Sequence, residues 1–197
     1  MTFLGLTPPS FREGSSPVLE TERLILRAPR LEDAKQVAAL ANDKRIAENT
    51  RRLPHPYTRS DAEDFISSLD AGEIAFVITR HDETIVGACG IAMHDEIAPE
   101  IGYWLGVKHW GQGYATEAVR ALIDYAFTEG DHDALQAGAR VTNPASRRIL
   151  EKCGFQWTGV GLCRIRALAS SAPIDRFRLD RGLWTSLRSW RDVKRVA

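Results

Sequence analysis

Two short stretches carry the residue types best suited to chemistry. The first is Trp110-Gly111-Gln112-Gly113-Tyr114-Ala115-Thr116-Glu117, set between an apolar strand-like run (residues 101–107) and a helical pattern (residues 115–127). Glycine lacks the Cβ that would hold a ligand off the backbone and tolerates φ values that other residues avoid. The unpaired amides that open a helix can then grip phosphate oxygens. The N–H groups of Gln112, Gly113, Tyr114, Ala115 and Thr116 are therefore candidate phosphate ligands, against the plainer reading of a tight turn that needs glycine only for shape. The second stretch is Asn143-Pro144-Ala145-Ser146. It reads as a helix N-cap followed by proline at the first helical position.

Several chemistries are excluded. The glycine pair lacks the Gly-Lys-Ser/Thr ending of a nucleotide P-loop and the third glycine of a dinucleotide fingerprint. The histidines at 55, 81, 94, 109 and 132 show no metal-ligand spacing, so no metal site is expected. No serine sits in a nucleophile elbow. Cys89, Cys153 and Cys163 lie far apart among apolar or glycine neighbours, which predicts buried thiols rather than a redox or zinc pair. Lys plus Arg and Asp plus Glu each number 26, so the net charge is zero. That argues against a dedicated DNA-binding protein, which carries a basic excess. No apolar run is long enough to span a membrane, and residues 1–13 lack a secretory pattern. A cytoplasmic location is the expectation.

The elements that must position these stretches follow from periodicity. Residues 1–18, rich in Pro, Gly and Ser, read as an irregular leader. Residues 19–27 read as a strand. Leu31, Ala34, Val37, Ala38 and Ala41 recur at helical spacing and predict one buried face over 29–42. Ser60 and Glu63 have the spacing of a capping box, opening a helix that buries Ala62, Phe65, Ile66 and Leu69. Residues 75–79 and 85–93 read as a hairpin, and 100–107 as a third antiparallel member. Alternation puts Glu100, Gly102, Trp104 and Gly106 on one face, and Ile101, Tyr103, Leu105 and Val107 on the other. A helix over 115–128, a strand over 135–141, a helix over 145–152 stopped by Gly154, and a last hairpin (159–166, 173–179) follow. Residues 178–195 hold six basic and two acidic side chains, with Leu183, Leu187 and Trp190 on one helical stripe. This tail is either a docked helix with exposed arginines or a contact for RNA, a ribosome or another partner.

A strand, a glycine turn, a helix, a strand and an Asn-Pro-Ala-Ser helix start together resemble the GNAT superfamily of acyl-CoA-dependent N-acyltransferases. Within it the RimJ/RimL type, which acetylates protein N-terminal amines, is the nearest likeness. Thr21-Glu22-Arg23-Leu24-Ile25-Leu26-Arg27 resembles its first strand and Glu100-Ile101-Gly102-Tyr103-Trp104-Leu105 its fourth. Residues 110–118 resemble its pyrophosphate loop. Asn143 to Ser146, with Leu150-Glu151-Lys152-Cys153-Gly154-Phe155, resembles its later CoA-side motif. The resemblance implies an α/β (α+β) fold. Its central sheet is mixed, mostly antiparallel and twisted, with six to seven strands, about four flanking helices and a splay between the fourth and fifth strands. It implies a leader at 1–18, the catalytic domain at 19–180 and a basic amphipathic extension at 181–197. One departure stands out: the Glu-Gly step of ribosomal-protein members after the Gly-Phe turn is here Thr158-Gly159, so no catalytic carboxylate falls there.

What the resemblance implies is acetyl transfer from acetyl-CoA to a primary amine, without a covalent acyl-enzyme, by a monomer or homodimer. A protonated amine cannot attack a thioester, so a base must take its proton. Glu100 is the candidate, against a structural or merely solvated glutamate at a strand start. A backbone N–H of strand 101–107 can donate to a developing oxyanion. Ser146 and Tyr103, with Tyr114, are candidate donors to the departing thiolate. Main-chain groups such as those of Leu105 and Val107 would meet the pantetheine arm. Asn143 and Ser146 are candidate cofactor contacts or simple caps, and Arg147 a candidate for a CoA phosphate. The acceptor stays open between a peptide N-terminus and a small amine, and a non-catalytic acyl-CoA sensor is the reading from a different class.

Overall fold

The computed structural model describes residues 17–69, 73–93 and 98–194, with side chains to 190. Residues 1–16 of the expected leader at 1–18 lie outside these residues. The chain starts with two short strands, β1 (Leu19–Glu20) and β2 (Leu24–Arg27), where one was expected. The break is built by Thr21, whose backbone N–H donates to Leu24 O at 2.8 Å and whose hydroxyl oxygen accepts from Leu24 N at 3.0 Å. Helices α1 (Ala34–Ala41), α2 (Lys44–Ala47) and α3 (Arg59–Ser67) follow.

Two local expectations are corrected here. Leu31 is exposed, because residues 31–33 form a 3₁₀ turn and the buried face of α1 begins only at Ala34. The capping box of α3 is Thr58 with Asp61, not Ser60 with Glu63. Asp61 N donates to Thr58 Oγ1 at 3.2 Å, and Thr58 N donates to Asp61 Oδ2 at 2.9 Å. Within α3 only Ala62 is fully buried, and Phe65, Ile66 and Leu69 are half-buried because the helix packs at the margin of the smaller core.

Strands β3 (Glu73–Arg80), β4 (Ile85–Ala92) and β5 (Glu100–Leu105) form an antiparallel meander. Helix α4 (Tyr114–Glu129), β6 (Ala134–Arg140), α5 (Pro144–Lys152), β7 (Gln156–Ile165), β8 (Ser170–Asp180) and α6 (Arg181–Lys194) complete the fold. All eight strands join one sheet in the order β1-β2-β3-β4-β5-β6-β8-β7. The split first strand accounts for the eighth, and α2 and α6 raise the helix number above the expected four. The mixed, mostly antiparallel sheet flanked by helices is the fold class read from the sequence.

Both faces of the sheet centre are covered, which is why β3 and β4 read as nearly continuous apolar runs. Phe76, Ile78, Ile91, Ile101 and Leu105 pack with Leu122, Ile123 and Phe127 of α4 in the larger core. Val77 and Ile85 face a smaller core under α1 and α3. Trp184 of α6 joins the larger core, stacked on Phe127 at 5.0 Å and donating its indole N–H to Asp124 Oδ1 at 2.7 Å. Arg181 donates to the carbonyls of Phe127, Gly130 and His132 at 2.7–2.8 Å, satisfying acceptors at the C-terminal end of α4. Cys89 and Cys153 are buried as expected, whereas Cys163 is partly exposed because it stands on outer strand β7.

One gap in the sheet positions the site. β5 and β6 run parallel but pair only at Glu100↔Gln136 and Ile101↔Ala137. β5 stays bonded to β4 as far as Leu105, and β6 stays bonded to β8 as far as Arg140. The two strands therefore diverge with their facing edges unpaired. This is the splay expected between the fourth and fifth strands, numbered β5 and β6 once the first strand is counted as two.

Candidate active site

Beyond β5 the chain turns through a 3₁₀ segment, residues 107–109, into the glycine loop. Gly111 and Gly113 have φ of +74° and +82°, in the left-handed region where a Cβ is strained. This conformation directs the chain into α4. The first backbone bond of the helix is Glu117 N to Gly113 O at 3.1 Å. Among the described residues, no acceptor meets the amides of Gln112, Gly113, Tyr114, Ala115 or Thr116. Five main-chain donors thus converge at the positive end of a 16-residue helix.

The loop is tied down at two points. Trp110 donates its indole N–H to Leu105 O at 2.8 Å, which fixes the loop to the end of β5. The carbonyl of Val107 is likewise taken by Trp110 N at 3.1 Å. On the other side, Glu117 accepts from Thr21 Oγ1 at 2.7 Å, Arg23 N at 2.8 Å and Arg23 Nε at 2.7 Å. Arg23 in turn donates to Gln112 O at 2.9 Å and lies over the Tyr114 ring at 4.9 Å. Burial works against a charged Glu117. The bonds from Thr21 and from the backbone and side chain of Arg23 outweigh it and hold the carboxyl below the usual range. The break between β1 and β2 therefore acts as a clasp on the glycine loop.

Along the splay the main chain of β5 alternates sides. Gly106 N bonds back to Val86 O of β4 and Leu105 O turns the other way, so the N–H and C=O of Tyr103 and the N–H of Leu105 face the gap. The side chains also divide. Tyr103 packs toward α4 and α5, and its hydroxyl lies 2.9 Å from Ser146 Oγ. Burial pushes the phenol well above its ordinary pKa, so it stays protonated. Asn143 Oδ1 accepts from Ser146 N at 3.1 Å, capping α5 and holding Ser146 against Tyr103. Arg147 Nη1 stands 3.3 Å from buried Asp175 Oδ2. Trp157 donates to the other oxygen of that carboxylate at 2.9 Å.

Glu100 projects from the opposite face of β5, the one shared with Gly102 and Trp104. A β-carbon at Gly102 would meet nothing within 4 Å, so the groove floor beside Glu100 is open. Across the splay, a β-carbon at Gly138 would lie 3.7 Å from Glu100 Oε1, which places the carboxylate over β6. Glu100 stands 3.5 Å from Arg51 Nη1. Glu100 on one face of the strand, and Tyr103 with Ser146 on the other, thus flank one gap.

Several participants were not evident in the sequence. Arg23 and Glu117 are 94 residues apart, and no periodicity links them. The role of the Trp110 indole depends on the loop's own fold. Arg51, Arg52, Arg164 and Arg166 come from two distant segments and line one cavity of about 470 Å³. No group of His, Cys, Asp and Glu able to hold a metal ion occurs among the described residues, and no helix there is long and apolar enough to cross a membrane.

Comparison with known proteins places these features in a wider set. A model of the acetyltransferase (GNAT) domain family matches residues 23–156. An uncharacterized N-acetyltransferase, p20, of Bacillus licheniformis is 34% identical over 151 residues, 72% of this chain and 84% of that protein. The ribosomal-protein-serine acetyltransferase of Escherichia coli is 35% identical over 85 residues, 41% of this chain and 45% of that protein. The solved structure of spermidine N-acetyltransferase from Vibrio cholerae, with CoA and spermine, superposes with a TM-score of 0.72. It is 20% identical and covers 84% of this chain and 99% of that one.

Proposed function

The chain belongs to the GNAT acetyltransferase family, and from that premise we propose that it acetylates a primary amine by direct attack on acetyl-CoA, with Glu100 as general base. Bound acetyl-CoA supplies the acetyl group as an activated thioester. The observation that carries the reading is the continuity of the splay and the loop. The unpaired edge of β5 leads directly into five unpaired amides at the start of α4. A long donor with a pyrophosphate at one end and an amide-bearing arm fits both parts.

In this reading the amides of Gln112, Gly113, Tyr114, Ala115 and Thr116 hold the pyrophosphate. The main-chain groups of Tyr103 and Leu105 that face the splay hold the arm. Asn143 and Ser146 border it from α5. Val107, whose carbonyl is already bonded, acts through loop shape. Arg147, half-exposed beside Asp175, is the candidate for a CoA phosphate. Glu100 removes the amine proton directly or through one water. In this reading the Tyr103 hydroxyl, protonated and bonded to Ser146, donates toward the departing sulfur. Cys89 takes no part as a nucleophile, since burial pushes its thiol pKa up and keeps it neutral.

The acceptor we favour is a protein or peptide N-terminus. The RimJ/RimL-type motifs and the likeness to the E. coli ribosomal-protein enzyme support it. A thiol-release assay with acetyl-CoA tests the proposal, using short peptides, free amino acids and polyamines as acceptors. Amine-dependent release that is slowed by Glu100→Gln is the expected result. Tight CoA binding without turnover on any amine would instead mark the protein as an acyl-CoA-binding module.

A further inference from the structure

Four arginines gather where the acceptor would enter. Arg51 and Arg52 lie between α2 and α3, Arg164 at the end of β7, and Arg166 in the turn joining β7 to β8. Together with Ala169 they line the cavity of about 470 Å³. The arrangement is set by the main chain, because Arg166 N donates to Arg51 O at 3.1 Å and docks the hairpin turn on the α2–α3 loop. The cavity adjoins the reaction centre through Arg51, 3.5 Å from Glu100. Arg52 is committed to Glu73 by two bonds, at 2.9 and 2.7 Å. Arg164 and Arg166 have no carboxylate within 4.0 Å among the described residues. Converging like charges repel, and in a chain of zero net charge this cluster is not part of a general basic excess. An incoming anion relieves the repulsion and takes charge-assisted bonds from planar guanidinium groups.

We propose that the acceptor carries an oxyanion, a carboxylate or a phosphate, near its reacting amine, and that Arg51, Arg164 and Arg166 bind it while Glu100 receives the amine. Arg52, anchored to Glu73, completes the positive wall. The cluster attracts the anion, and Glu100, the carboxylate beside Arg51, faces the cationic end of the same molecule. Polyamines, which carry cations only, are disfavoured by this wall. The inference rests on Glu100 marking the acceptor side of an acetyltransferase site.

The test is a set of acceptors matched except for the anion. Ser-Asp-Asp-Asp amide is compared with Ser-Asn-Asn-Asn amide, free alanine with alaninamide, and O-phosphoethanolamine with ethanolamine. Spermidine serves as the cationic arm. The anionic member of at least one pair should show a kcat/KM higher by about tenfold or more. The arm with the largest ratio identifies peptide side chain, amino-acid carboxylate or phosphate as the source. In the Arg164→Gln/Arg166→Gln variant that ratio should fall toward one, and raised salt should lower it in the wild type. Equal use of both members of every pair, preference for spermidine, or a ratio unchanged in the variant would overturn the proposal. If no acceptor turns over, the acetyltransferase reading fails separately. Calorimetric binding of the two peptides to wild type and variant then decides the anion site: selective binding of the acidic peptide, lost in the variant, upholds it, and equal or absent binding of both overturns it.

Discussion

The clasp on the glycine loop gives a quantitative prediction through Glu117. Replacing it with alanine removes acceptors for Thr21 Oγ1, Arg23 N and Arg23 Nε, together with the 2.6 Å ion pair to Arg23 Nη2. Each hydrogen bond contributes about 1 kcal/mol net. The ion pair adds only a few tenths, because the Arg23 side chain is 46% exposed and solvent screens it. Alanine's better helix propensity offsets part of the loss. The expected destabilisation is about 2–3 kcal/mol by urea unfolding at pH 7. If about half of it is felt as loss of loop order on binding, KM for acetyl-CoA rises roughly tenfold while kcat changes little. The pH dependence has a definite sign. The native carboxyl titrates below its unfolded value, so its contribution is complete above the ordinary glutamate range and is lost as pH falls through the native pKa. The gap between wild type and Glu117→Gln should therefore narrow on acidification. A variant with unchanged stability and unchanged KM, or a gap that widens toward low pH, would refute the clasp.

Four other outcomes follow from the geometry. Glu100→Gln should lower kcat by about 10²–10⁴-fold with little change in KM for acetyl-CoA, measured by thiol release. Tyr103→Phe and Ser146→Ala should each lower kcat, and the double variant should be no slower than the worse single one, because the two hydroxyls act through one 2.9 Å contact. Gly113→Ala forces a side chain into φ of +82° with its Cβ 3.2 Å from Arg23 Nη2, and should weaken CoA binding in calorimetry while leaving urea stability within about 1–2 kcal/mol. Trp184→Ala, in a position only 8% exposed, should cost about 3–5 kcal/mol in urea unfolding, and a loss below about 1 kcal/mol would show that α6 is not part of the core.

What the sequence by itself determined is local or periodic. The glycine turn between a strand and a helix was readable because left-handed φ demands glycine. The Asn143-Pro144 start of α5 was readable because capping is a property of adjacent residues. The alternation in β5 separated Glu100 from Tyr103 because side chains along a strand take opposite faces. Neighbouring choices of equal local quality were not resolved, as with Thr58/Asp61 against Ser60/Glu63 and with the break at Thr21. Only the tertiary structure decided the rest. The splay arises because β6 finds a full partner in β8 and β5 in β4, leaving two unpaired edges that no single-strand pattern encodes. The clasp of Arg23 on Glu117 and the convergence of Arg51 with Arg166 join segments whose separation along the chain carries no period. Geometry held in a backbone turn was thus legible from the sequence, whereas contacts that depend on distant side chains meeting required the fold.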